Sequence, residues 1–398
     1  MSQKKLWIAL FIVVGVSFAV LLYYGNQIYQ TKPPVPNQVV DDSGKVLFSG
    51  QDINDGMNIW QSIGGQQVGS IWGHGAYVAP DWNADYLHRE AQYLLNKWAD
   101  GNFDAKSDEE KAALEKRLQN FLRKNTYNPS TQTLTISEER YEAFLHLKDY
   151  YSGLFMDNPE LDKLRADYAI PKNSIKDTDR MDKMAMFFFW SSWACVTERP
   201  NSDLTYTHNW PNDNQIGNVP TGSLVIWTGF SIIMLLVGIG ILLWVHIRTK
   251  EEEPLKPVDD PLMNQHITPS MRATKKYFWI VNLLILAQVM LGIVTAHYGV
   301  EGDGLYGIDI ASFMPYSISR TWHVQIAIFW IATAWLATGL YIGPSLSGKD
   351  PKFQKLGVNV LFIALLIVVA GSLIGQWFGV MQKLGLVENF YFGHQGYE

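Results

Sequence analysis

The residue with the most chemical potential is a histidine inside an apolar run. His323 stands in Ser319-Arg320-Thr321-Trp322-His323-Val324-Gln325, two residues into a stretch that stays apolar to Ile342. Ionisable side chains within membrane-length runs are expensive to bury and therefore mark function. A neutral imidazole costs less there than a charged group, and it is a common axial ligand of haem iron. Arg320, nearly one helical turn earlier, could pair with haem propionates. The bland alternative is an aromatic-belt histidine hydrogen-bonded to a neighbour. A haem held by two imidazoles also needs a second histidine, and no other apolar run carries one in its interior at matching depth.

The remaining histidines offer less. His246, beside Trp244 and Arg248, suits an interfacial anchor. His297 ends an apolar run four residues before Glu301, which by itself reads as a solvated loop acid. His74 lies between Gly73 and Gly75. Those glycines let the backbone approach a ligand closely, and they suit an ordinary tight turn equally well. His88, His146 and His208 have no metal-ligand spacing to one another. Met184, Met186, Phe187, Phe188, Phe189 and Trp190 read as core rather than as a cofactor box. One cysteine, Cys195, leaves no means of forming an internal disulfide, a CxxC zinc site or a covalently attached c-type haem.

The elements that must position these groups fall into two populations. Across 398 residues the net charge is −6 and no basic stripe appears, so nucleic acid is not an expected partner. Five stretches reach the roughly 20 apolar residues that cross a bilayer core of about 30 Å. They are Leu6–Tyr24, Leu224–Ile247, Tyr277–Ala296, Thr321–Ile342 and Leu356–Val380. The first runs into Gly25 and Asn26 without a small-residue cleavage site, so it reads as an anchor rather than a signal peptide. Arg248, Lys250, Lys256, Arg272, Lys275 and Lys276 crowd one loop, and Lys349, Lys352 and Lys355 another. The loop from Gly299 to Ser319 has neither Lys nor Arg. The positive-inside rule then puts the N-terminus in the cytoplasm and residues 26–219 outside.

Those outer residues begin with a stiff extended linker, Thr31 to Pro36. Helical spacing follows over Tyr86–Ala99, Ser107–Lys124, Ser137 to about Gly153, and Asp179–Cys195. Ser107 and Glu110 form a capping box. Short extended pieces are expected at Val46–Phe48 and Thr133–Ile136. The expectation is an all-α membrane protein with five transmembrane helices and a mainly helical extracytoplasmic domain. Its parts are a transmembrane anchor (1–25), the outer domain (26–219) and a second membrane segment (220–398).

Four segments carry a resemblance to a known family. Gly73-His74-Gly75-Ala76-Tyr77-Val78-Ala79-Pro80-Asp81-Trp82, Thr205-Tyr206-Thr207-His208-Asn209-Trp210-Pro211, Arg320-Thr321-Trp322-His323 and the terminal Phe392-Gly393-His394-Gln395-Gly396-Tyr397-Glu398 resemble the bacterial quinol-dependent nitric oxide reductases. These are single-subunit enzymes of the haem–copper oxidase superfamily. The resemblance implies that residues 26–219 are a cytochrome c-like domain lacking haem c, and that 220–398 begin the oxidase-type membrane domain. It implies that His323 ligates a low-spin haem b, with His297 and Glu301 as the quinol-binding pair. It further implies a bacterial inner-membrane location with a periplasmic outer domain, and reduction of two NO to N2O and water. A homodimer is compatible with it. Family members are nearly twice as long, with haem b3, non-haem iron and the second haem b ligand on later helices. The chain is therefore expected to be an N-terminal portion, inactive without the C-terminal half. An oxygen-reducing quinol oxidase relative, or a membrane-tethered sensor built on the outer domain, are the rival readings.

Overall fold

The computed structural model describes residues 3–248, 266–302 and 304–392. Lys250 and Lys256 of the basic loop, and the terminal motif from Gly393 to Glu398, lie outside the described residues. The chain opens with the apolar helix α1 (Gln3–Thr31), then β1 (Gln38–Val40) and β2 (Val46–Ser49). Next come α2 (Gly50–Ser62), the short α3 (Gly65–Val68) and a small hairpin, β3 (Ser70–Ile71) with β4 (His74–Gly75). α4 (Trp82–Trp98), α5 (Asp108–Arg123), β5 (Tyr127–Asn128), β6 (Thr133–Thr135), α6 (Glu138–Phe155), α7 (Asp162–Asp167) and α8 (Thr178–Val196) complete the polar part. The sequence places α4, α5, α6 and α8 within a few residues of their ends. The Ser107–Glu110 capping box is present, with the Ser107 side chain accepting from the Glu110 backbone and the Glu110 carboxylate accepting in return.

α2 is the helix that periodicity alone does not reveal, because Asn54, Asp55, Gly56 and Asn58 dilute its apolar stripe of Ile53, Ile59 and Trp60. Its start is fixed by Asp52, whose Oδ2 accepts from the Ser49 backbone at 2.8 Å and the Ser49 hydroxyl at 2.7 Å. Gly56 lets it press on α8, since a Cβ there would collide with the Lys183 carbonyl. The strands form one sheet in the order β2-β1-β6-β5, with β1 and β6 parallel and the other pairs antiparallel.

The chain divides into two compact units. The first takes residues 1–53, 86–145 and 188–221. In its core Phe48, Phe144 and Phe189 pack with ring centroids 5.6–5.8 Å apart, and Tyr86 lies 6.5 Å from Phe189. A buried ion pair sits in the same core. Arg140 reaches Glu90 at 2.9 Å through Nε and 3.5 Å through Nη2. Of the α8 residues read as core, Met184, Phe187, Phe188, Phe189 and Trp190 are buried, and Met186 is half-buried.

The second unit takes residues 54–85, 146–187 and 222–398. In its polar part Trp82 packs on Tyr151, Phe155 and Tyr168. Its membrane part comprises α9 (Gly222–Arg248), α10 (Pro269–Glu301), the hairpin β7 (Gly304–Leu305) with β8 (Ile308–Asp309), α11 (Tyr316–Ser347), α12 (Gln354–Val380) and α13 (Leu386–Phe392). Among the described residues five helices, α1 and α9 to α12, are long and apolar enough to cross a membrane. α10 runs longer than its apolar stretch, with Thr268 capping its start and its turns continuing to Glu301, and α11 likewise extends from Tyr316 to Ser347. α10, α11 and α12 pack together through Leu284, Leu291, Ile326 and Val369, and through Tyr277, Ala337 and Val358. The Tyr277 hydroxyl donates to the Val358 carbonyl at 2.7 Å. α1 and α9 bury none of their apolar windows in protein and leave them to the lipid.

Candidate functional site

The polar groups of interest gather on α10 and α11. His323 occupies the third turn of α11 and is partly buried. Its Nδ1 lies 2.8 Å from the Gln288 carbonyl oxygen on α10. A carbonyl only accepts, so Nδ1 carries the proton, and the neutral ring keeps its lone pair on Nε2. Gly292 makes this approach possible. A Cβ there would stand 2.9 Å from His323 Cε1 and 3.1 Å from Nδ1, but 3.8 Å from Nε2. The Cε1–Nδ1 edge therefore lies along α10 and Nε2 is the ring nitrogen farther from it. The Gln288 side chain is also engaged, its Oε1 accepting from Trp330 Nε1 at 2.6 Å. Thr295 and Ser319 join the two helices through their hydroxyls at 3.2 Å.

This arrangement fits a haem ligand. Metal-binding histidines commonly donate their second ring N–H to a carbonyl, which fixes the tautomer and raises the basicity of the ligating nitrogen. Small residues along α11, including Ala327, Ala334 and Gly339, admit close approach of a flat group or a helix. The bland expectation, a histidine bonded to its neighbour, describes the Nδ1 side of the ring and leaves Nε2 unassigned.

His297 and Glu301 are together on the last turns of α10, with Nδ1 and Oε1 3.5 Å apart. Glu301 Oε2 accepts from the Tyr306 backbone N–H at 3.0 Å, and the Tyr306 ring lies 5.0 Å from the imidazole. His297 Nδ1 is buried without a hydrogen-bond partner. At about 100° per residue, His297 and Gly292 are set roughly 140° apart around α10. The pair thus occupies a different face of the helix from the one that holds His323.

Arg320 is not free. Its Nη1 donates to Oε1 of Gln67 on α3. His74 is exposed on β4 with Nδ1 2.9 Å from the Trp72 carbonyl. Its loop is fixed by Asp81, which accepts from the Ser70 hydroxyl and the Gly73 backbone, both at 2.7 Å. His208 Nδ1 lies 2.9 Å from Arg199 Nη2, which donates to it. Burial first and the Arg199 charge second hold this imidazole below its usual 6.5. Among the described residues no three His, Cys, Asp or Glu side chains gather as a metal cluster.

Sequence reasoning missed Gln288 and Gly292. A glutamine within an apolar run followed by glycine four residues later was the available signal. Gln67 gave none, because it meets Arg320 from more than 250 positions away.

Two family models match the chain. Residues 36–212 match the NorB cytochrome c-like domain of nitric oxide reductase. Residues 272–397 match cytochrome C and quinol oxidase polypeptide I. No curated protein matches.

Proposed function

We propose that this chain, a NorB-like member of the haem–copper oxidase superfamily, carries the electron-entry part of a quinol-dependent nitric oxide reductase. The observation that carries the reading is the His323 ring, anchored by Nδ1 on the Gln288 carbonyl with its Nε2 lone pair left available. When bound, a low-spin haem b supplies one-electron transfer between quinol and the haem b3 and non-haem iron pair that reduces two NO to N2O and water.

The chain's own residues then have distinct tasks. Gln288 and Gly292 orient the His323 imidazole, one through its carbonyl and the other through its missing Cβ. Arg320 stands within the first turns of α11, where further guanidinium N–H groups remain to pair with propionates. The His297 imidazole and the Glu301 carboxylate would take the two protons of a hydroquinone as its two electrons leave. The orientation that accompanies the reading has residues 26–219 on the periplasmic side of a bacterial inner membrane.

The test is substitution of His323 by Ala in the membrane-expressed protein supplied with the C-terminal half that the resemblance implies. Loss of the low-spin haem b spectrum and of quinol oxidation is expected. Retention of both would sink the assignment. His297→Ala and Glu301→Gln should spare the spectrum and slow quinol oxidation about 100-fold or more, as removal of a proton acceptor does. The match to an oxidase polypeptide favours one second reading, an oxygen-reducing relative. Supplying NO and O2 separately to the quinol-reduced protein distinguishes the two.

A further inference from the structure

A cavity of about 370 Å³ opens in the second unit, lined by residues where α11 begins and α12 ends. Pro315 precedes the first turn of α11, and Val380 and Met381 close α12. All three line the cavity. The apolar helices stop at this level, so the cavity lies where hydrocarbon gives way to lipid headgroups. Val68, Phe155, Ile170 and Val380 supply an apolar wall.

The charged groups around it are unequal. Lys172 is neutralised by Asp162 at 2.8 Å and Asp157 at 3.8 Å. Lys176, also in the lining, forms no ion pair among the described residues. Arg180 is joined to the cavity wall through neutral partners, donating to Gln382 Oε1 at 2.7 Å and the Leu384 carbonyl at 3.1 Å. Arg180 stands outside the lining, whose charged residues are Lys172 and Lys176 against one carboxylate, Asp309. A site with an apolar wall at headgroup depth and a cationic rim complements an acyl chain that ends in a phosphate.

We propose that this cavity seats an anionic phospholipid from the leaflet facing the extracytoplasmic domain, with an acyl chain on the apolar wall and its phosphate beside Lys176. This site is separate from the His297–Glu301 pair, neither of which lines it. The full chain would be reconstituted in phosphatidylcholine nanodiscs with graded phosphatidylglycerol, and retained lipid measured by native mass spectrometry. One phosphatidylglycerol per chain is expected in preference to phosphatidylcholine. Lys176→Glu should weaken that preference about thirtyfold, two charge steps at roughly fivefold each. Met381→Trp, which fills the cavity from the end of α12, should lower retention of both lipids. Lys176 is exposed, so its substitution spares the core, and unchanged thermal melting would verify this. Equal retention of the two lipids by the unaltered chain would overturn the proposal. So would displacement of phosphatidylglycerol by inorganic phosphate alone, or by a short-chain hydroquinone at stoichiometric concentration.

Discussion

Gly292→Ala tests whether packing on α10 sets the His323 imidazole. The added Cβ would stand 2.9 Å from Cε1, against roughly 3.5–4.0 Å for ordinary carbon contact, so the ring must retreat by about 0.6 Å or more. The Nδ1 to Gln288 bond, now 2.8 Å, would stretch to about 3.4 Å, the edge of a useful hydrogen bond. An unpaired buried ring N–H costs about 1–3 kcal/mol, and crowding a packed interface costs a similar amount. Replacing glycine by alanine within a helix returns about 1 kcal/mol. The net destabilisation is therefore about 1–5 kcal/mol. The larger signature should be in haem affinity, because loss of a partner that orients a ligand typically costs about 10–100-fold. The assay is visible absorption of the protein from haem-replete cells, followed by titration of the apoprotein with haem. Weaker binding and a partly high-spin spectrum are expected. Unchanged affinity and an unchanged low-spin spectrum would refute the view that Gly292 and the Gln288 carbonyl hold the ligand.

Other consequences are open to simpler measurement. Arg140→Leu leaves Glu90 as a buried, unpaired carboxylate and should cost about 3–5 kcal/mol in thermal or denaturant unfolding, whereas replacing both partners with apolar residues should cost much less. Ser107→Ala removes one arm of the capping box and should cost about 1 kcal/mol. His208 should titrate below 6.5 by NMR, and Arg199→Gln should raise its midpoint. Because the unfolded chain binds this proton more readily, the His208 contribution is complete above 6.5 and is lost as pH falls from there towards the folded value. An acid limb that survives unchanged in His208→Gln would exclude this histidine as its source.

The membrane elements were legible because lipid demands long apolar helices, and a run such as Leu356–Val380 has few other readings. The polar helices α4, α5, α6 and α8 were legible through periodicity and capping. α2 was not, since polar residues interrupt its stripe and a glycine contact with α8, invisible locally, helps define it. The same limit applied at the site. His323 is conspicuous as an ionisable residue in an apolar run, but its tautomer depends on a carbonyl from another helix. Glu301 taken by itself is ordinary in sequence, and the resemblance gave it interest before its place beside His297 and its bond from the Tyr306 backbone did. Gln67 and Arg320 show the extreme case, a side-chain bond whose partners share no local pattern.

The length of α10 carries an electrical consequence. Gln288, which holds His323, and His297 are nine residues apart on that helix, about 13 Å along its axis. The hydrocarbon layer is about 30 Å thick. If quinol binds at His297 as proposed, an electron passing from it to the depth of His323 would cross somewhat under half of that layer, while its protons, taken up at His297 and Glu301, would stay near the edge. Such a separation works against or with the membrane potential by about 1 kcal/mol per 100 mV. On the proposed function, quinol oxidation in sealed vesicles should therefore respond to an imposed voltage even though His297 and Glu301 both lie at one end of the helix.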